Sequence, residues 1–309
     1  MDNNRGLWIA LIIVLLFVSC CCCTLMWIAG NAALSGLRAL DAGVGPELQA
    51  WSDRLRNWDG EWPAWPMPWR GAGALASAPI YEVRTVGGPV TLDVTAPVGT
   101  LSVQPGPDGQ VRIEGTKRGH GASIEEADRR LKEIEVRVDQ AGDKIWVRVS
   151  GPFVGDAGSR TSQLDLTITV PRQTTLAAGL GVGRLQITGI TGDVTVDAEV
   201  GEVILADVTP VQKLRVATRV AGVDFSAALA PNARYEFTTD VGKISLRLPE
   251  ASAFRLDARS DIGDVSVAFP VVGRSSREAL VGKEVRGEVG QNPTTDLYLR
   301  SRVGAITIR

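Results

Sequence analysis

From about residue 80 onward, apolar and polar side chains alternate with a period of two, and a recurring Val/Ile-Gly step punctuates the alternation. The step stands at Val200-Gly201, Val241-Gly242, Ile262-Gly263 and Val303-Gly304, with a looser copy at Val220-Ala221-Gly222. Gly201, Gly222, Gly242, Gly263 and Gly304 lie 21, 20, 21 and 41 residues apart, the last interval counting as two periods. A fixed period near 20 predicts stacked strand units, because a single unit cannot bury its apolar face without a neighbour. Aligned on the Val/Ile, the positions six before it are Val194, Leu214, Tyr235, Leu256 and Leu297, and those four before are Val196, Val216, Phe237, Ala258 and Leu299. Both columns are expected to face inward. Two before comes a column of small residues, Ala198, Thr218, Thr239, Ser260 and Ser301, expected on the same face where the chain nears a corner. Glycine then permits the bend, and Val203/Leu205, Ile244/Leu246, Val265/Val267 and Ile306/Ile308 resume as a second inward-facing strand.

Upstream, Gly183, Gly192 and Gly201 recur every nine residues, as single strands of shorter coils would. Alternation at 90–94, 99–103 and 111–113 extends the β body back to about Ile80. One interruption reads as helical. Ser123-Ile124-Glu125-Glu126 is a capping box that opens a short helix to about Ile134, with two more strands expected over 134–138 and 144–149. A second insertion, over about 271–290, accounts for the coil missing between Gly263 and Gly304. The expected fold class is therefore all-β: a single-chain β-solenoid, or β-helix, of about 20-residue coils with one helical insertion.

Before residue 80 the pattern changes. Residues 7–29 carry no charged side chain, and at about 1.5 Å per residue they reach roughly 34 Å, enough to cross a hydrocarbon core. One transmembrane helix in the lipid bilayer is predicted. A cleaved signal peptide is the alternative, with Phe17-Val18-Ser19-Cys20 as a weak lipoprotein box, but the apolar run continues through Leu25-Met26-Trp27-Ile28. Cys20, Cys21, Cys22 and Cys23 all lie in this segment, so the rest of the chain forms neither a disulfide nor a cysteine metal site. Residues 31–79 read as a juxtamembrane connector with an amphipathic stretch and a Trp/Pro-rich run over 58–69. Its indoles suit either a headgroup interface or packing against the following domain. The expected domains are thus an anchor (1–30), a connector (31–79) and a β repeat body (80–309).

Net charge is −2 over 309 residues, which gives no reason to expect nucleic acid. The single histidine, His120, sits in Arg118-Gly119-His120-Gly121, read as a loop before the helix, and lacks the partners of a triad or zinc site. The corner glycines precede strands rather than a helix with a phosphate-binding lysine. The column just before the Val/Ile reads Glu199, Arg219, Asp240, Asp261 and Arg302. Sequential stacking places Asp240 above Asp261 and makes Asp240, Asp261 and Asp264 a weak candidate cation corner. No catalytic, cofactor-binding or metal residue is assigned, and no enzyme activity or cofactor is expected. Because the last repeat strand ends at Arg309, an uncapped edge is expected there, open to end-to-end homo-oligomerisation unless Arg300, Arg302 and Arg309 act as gatekeeping charges.

Residues 80–309 resemble a bacterial family of membrane-associated β-strand-repeat proteins labelled as adhesins, of unknown function and sometimes found with envelope-stress systems. The resemblance rests on Ser260-Asp261-Ile262-Gly263-Asp264-Val265-Ser266-Val267, on Ser301-Arg302-Val303-Gly304-Ala305-Ile306-Thr307-Ile308 and on the helix after Ser123. It implies a fold and brings no catalytic residues. The expectation is a noncatalytic, membrane-anchored, extracytoplasmic module that binds an envelope protein or glycan, or senses the envelope. The alternative is a cytoplasmic-facing scaffold, and a β-helix carbohydrate enzyme ranks below both.

Overall fold

The computed structural model describes residues 74–153, 162–278 and 282–309. In chain order the elements are β1 (Ala74–Thr85), β2 (Val90–Gly106), β3 (Gln110–Gly121), α1 (Ile124–Glu133), β4 (Glu135–Ala141), β5 (Lys144–Ser150) and β6 (Gln163–Pro171). Then come β7 (Thr174–Thr188), β8 (Val194–Ala206), β9 (Lys213–Ser226), β10 (Arg234–Val241), β11 (Ile244–Arg247), β12 (Phe254–Ile262) and β13 (Val265–Val267). The last are β14 (Val271–Glu278), β15 (Lys283–Val289), β16 (Asp296–Val303) and β17 (Ile306–Ile308). The described part is all-β with one helix, and its strands form one hydrogen-bonded sheet. No described helix is long and apolar enough to cross a membrane. The expected transmembrane helix over 7–29 and the tryptophan run lie outside the described residues. The β body starts at Ala74, upstream of the expected Ile80.

The centre is a parallel, in-register ladder of bent strands. Its rungs run β2, β7, β8, β9, then β10 with β11, β16 with β17, and β12 with β13. At the β2 end the strand's two halves take different partners: β5 and then β4 on the first half, β6, β3 and β1 on the second. At the other end β12 pairs with β15 and β15 with β14, both antiparallel. The 271–290 insertion is therefore a hairpin that continues the sheet at this end.

Two register findings revise the sequence reading. The C-terminal rung β16/β17 does not stack last but lies between β10/β11 and β12/β13, with Leu297 beside both Tyr235 and Leu256. The strand ending the chain is thus interior and presents no free edge; among the described residues β1, β4, β13 and β14 have one strand partner each. Bonds on both sides hold the rung in place: Arg255 Nε donates to Asp296 Oδ1 at 2.6 Å, Thr295 Oγ1 donates to the Ala230 carbonyl at 2.8 Å, and the Arg234 guanidinium lies 4.2 Å from the Tyr298 ring centroid. The second revision concerns Gly222, which does not occupy the glycine column. Gly201 pairs with Ala221, and Glu202 with Gly222.

The core follows the alternation. The predicted columns six and four before the Val/Ile are buried in each rung, and Val203/Leu205, Ile244/Leu246 and Ile306/Ile308 are buried after the bend. Phe225 anchors an aromatic cluster with Tyr235 and Phe237 at centroid separations of 5.6 and 5.4 Å. Tyr235 keeps its one polar atom paired, its hydroxyl accepting from the Ala230 N–H at 2.8 Å, while burial pushes its pKa up.

The helix forms as its caps dictate. Ser123 is the N-cap, its hydroxyl accepting from the Glu126 N–H at 3.3 Å, and the Glu126 carboxylate accepts in return from the Ala122 N–H at 2.8 Å, one residue earlier than the reciprocal bond of an ideal capping box. That backbone bond is the main cause holding the Glu126 carboxyl below its ordinary range. Helix α1 packs on β1 and β3. It comes so close to β3 that a Cβ on Gly119 would lie 2.3 Å from the Ala127 carbonyl oxygen. His120 is consequently not in a loop; it is a half-buried residue of β3, opposite Leu75.

Two stability experiments follow. A Cβ at Gly201, whose φ is +139°, would lie 1.8 Å from the Gly183 carbonyl oxygen, whereas one at Gly222 meets nothing within 4 Å. Gly201→Ala is expected to cost at least about 2 kcal/mol and Gly222→Ala to stay within about 0.5 kcal/mol, read by denaturant melts. Aligning the glycines by sequence alone predicts equal costs. The second experiment uses Arg148, which grips Asp93 with two bonds of 2.9 and 2.8 Å and holds its carboxyl below the ordinary range. A depressed folded-state pKa gives stability that is complete above the unfolded value of about 4 and is lost as pH falls through the lower folded value. For this half-exposed pair Asp93→Asn should remove up to about 1 kcal/mol at neutral pH, a Tm loss of about 2 to 4 °C, and the difference from the parent should shrink below pH 4.

Candidate interaction surface at the glycine corner

Every rung bends at the same place, and the physical reason is a one-residue slip in the alternation. The inward position two before the Val/Ile (Ala198 in β8) and the next inward position after it (Val203) are five positions apart, an odd offset, so the side chains of two consecutive residues, Glu199 and Val200, both face solvent. The ladder register skips the first of these residues in every rung, as at Glu199 and Arg219 between β8 and β9. The stacked rungs thereby present two parallel columns on the outside of the corner.

The small-residue column inside the corner does a specific job. Thr239 Oγ1 donates to the Ala221 carbonyl at 3.3 Å, Ser301 Oγ to the Gly242 carbonyl at 3.2 Å, and Ser260 Oγ to the Gly304 carbonyl at 2.7 Å. Each hydroxyl thus bonds a carbonyl of the adjacent rung at the bend, where an unpaired buried group would otherwise cost about 1 to 3 kcal/mol. Sequence reading placed this column correctly and gave it only a size requirement.

The first outer column carries charge. In ladder order it reads Glu199, Arg219, Asp240, Arg302, Asp261, because β16 inserts between β10 and β12. The expected stacking of Asp240 on Asp261 is therefore absent. Arg302 lies between them, 3.1 Å from Asp240, and Arg219 stands 4.0 Å from Glu199. Asp261 bonds Arg259 at 2.8 Å, and Asp264 bonds Lys283 at 2.8 Å, whose ammonium holds the Asp264 carboxyl below its ordinary range. The three candidate cation ligands are each engaged by a basic side chain, and no group of three potential metal ligands occurs among the described residues.

The second outer column is aliphatic. Val182, Val200, Val220, Val241, Val303 and Ile262 occupy successive rungs and remain 38 to 52 % exposed. Sequence reading found this Val/Ile step but did not assign its facing; the slip that turns it outward is visible only in the cross-strand register. Beside the upper rungs lies an open groove of about 990 Å³ whose walls include Phe153, Pro97, Leu180, Ala198, Ala217 and Arg219.

No protein-family model and no curated protein matches the sequence. Among solved structures, a "putative cell adhesion protein" from Clostridium sporogenes ATCC 15579 is 16 % identical, with a TM-score of 0.42, over 75 % of this chain and 99 % of that one. A "putative adhesin" from Bacteroides fragilis NCTC 9343 is 12 % identical, with a TM-score of 0.25, over 75 % and 97 % of the two chains. A "putative lipid binding protein" from Parabacteroides distasonis ATCC 8503 is 8 % identical, with a TM-score of 0.28, over 77 % and 98 %. At these values the likenesses assign no function to this chain.

Because each carboxylate of the corner already has a basic partner, millimolar calcium is expected to leave the melting temperature unchanged to within about 1 °C. A calcium-dependent rise that disappears in Asp261→Asn would contradict the alternating column.

Proposed function

We propose that this protein is a noncatalytic, adhesin-like binding module, a β-solenoid held at the cell membrane by residues 7–29 and displayed outside the cytoplasm. The observation that carries this reading is the corner surface: two straight columns, one aliphatic and one charged, repeated on successive rungs and left facing solvent. A regular, outward array of this kind suits an extended contact with a protein or glycan of the envelope, because successive rungs repeat an aliphatic side chain about 4.8 Å from the last beside charges of alternating sign. The uncharged run over 7–29 supports the anchor.

Topology is the decisive test. Ser275 is exposed in β14. Ser275→Cys in a full-length background with Cys20 to Cys23 replaced is expected to react with a membrane-impermeant maleimide on intact cells. Labelling only after lysis would reject the extracytoplasmic reading in favour of a cytoplasmic scaffold.

A further inference from the structure

We propose that the aliphatic column is a homodimer interface in which two copies lie antiparallel about a two-fold axis passing between β9 and β10. This goes beyond the binding function above and stands or falls separately from it. The occupant is identified by charge. Around that axis the rungs pair as β9 with the partner's β10, β8 with the partner's β16 and β7 with the partner's β12. Arg219 then faces the partner's Asp240, and Glu199 faces the partner's Arg302, and symmetry repeats both pairs. All four contacts join opposite charges. In the adjacent column Val220 meets the partner's Val241, Val200 the partner's Val303 and Val182 the partner's Ile262, so every exposed aliphatic rung finds another.

The alternation and the length of the aliphatic column together fix the register. A full-rung move of the axis, to between β10 and β16, again opposes unlike charges but leaves Val182 and Val200 without an aliphatic partner, whereas a half-rung move, onto β10, sets Asp240 against its own copy, Arg219 against the partner's Arg302 and Glu199 against the partner's Asp261. Every contact is then between like charges, which is destabilising when they lie directly opposite. A parallel arrangement with equal rungs facing each other has the same defect. A self-complementary pattern of this kind is what an isologous interface requires, since one patch must serve as both partners. The matching repeat adds to it, because two ladders with the same rung spacing can interdigitate their aliphatic side chains along the whole column. The strip is narrow against the roughly 800 Å² per partner of a standard interface, so a reversible, concentration-dependent dimer is expected.

The test is disulfide trapping in the full-length chain with Cys20 to Cys23 replaced by serine, purified in detergent. Val182→Cys and Ile262→Cys chains, both altered at exposed positions, are oxidised separately and as an equimolar mixture. The antiparallel register brings position 182 against position 262 and keeps each far from its own copy. A crosslinked dimer in the mixture, at least tenfold above either chain alone, is expected, and Arg302→Glu should reduce its yield at least tenfold with the fold retained by circular dichroism. Crosslinking of Val182→Cys to itself would mean a parallel arrangement, and no crosslink up to about 100 μM protein would mean that this face is not a dimer interface; either result overturns the proposal.

Discussion

The architecture depends on how closely neighbouring rungs approach at the corner. At Gly99, Gly183, Gly201, Gly242, Gly263 and Gly304 a Cβ would lie between 1.8 and 2.4 Å from a carbonyl oxygen of the adjacent strand or corner, and each of these residues has a φ of +138 to +150°. Both conditions admit only glycine without strain. The same bend leaves carbonyls turned out of the ladder, and the serine and threonine hydroxyls inside the corner bond to them. Corner glycine and inner hydroxyl act together in β10, β16 and β12, while in β2, β7 and β8 the inner position is Ala96, Leu180 or Ala198 and the glycine alone serves the bend. The exception supports the rule. At Ala221 the residue in the glycine column has no positive φ and its methyl is buried, and the neighbouring Gly222 likewise has no positive φ and room for a Cβ, so this rung turns without a glycine's freedom.

The second organising fact is the place of the last rung. The chain lays down β10 with β11, skips a rung position for β12 and β13, turns through the β14–β15 hairpin, and returns to fill the gap with β16 and β17. The C-terminal segment thereby becomes a keystone that supplies ladder partners to strands on both sides. The same insertion converts a column that would read acid, base, acid, acid, base in chain order into one that alternates in space. Cross-strand ion pairs of this sort contribute only about 0.2 to 1 kcal/mol each, so they do not hold the fold together. Their effect is on which neighbour each rung accepts, since placing β12 directly beside β10 would set Asp240 against Asp261.

Much of this was legible in the sequence. The period, the inward columns, the small residues within the corner and the capped helix at Ser123 are local properties, each written by residues a few positions apart. What could not be read is relational. Rung order was invisible because the β12 and β16 sequences are equally good neighbours for β10: both offer an apolar pair, a serine and a Val/Ile-Gly step at the same offsets. Asp261 and Arg302 differ between them, and that difference records the order only once the order is known. Gly222 misled for a similar reason, since spacing alone does not distinguish a glycine that is needed from one standing beside the needed position. His120 was placed in a loop because glycines flank it, yet those glycines serve the close approach of α1 to a continuous strand.

A slip of one residue at each bend is what gives the molecule an outer surface with any character. Without it, strict alternation would send the Val/Ile inward with the positions two, four and six before it, and the corner would show only charge. With it, the rungs from β8 to β12 each expose one aliphatic and one charged side chain at a fixed spacing, so the surface is a linear copy of the repeat. Such a surface is sensitive to register, because displacement by one rung exchanges every charge for its opposite. Selectivity on this face therefore resides less in any one residue than in the phase of the column, and that phase is set by the inserted C-terminal rung.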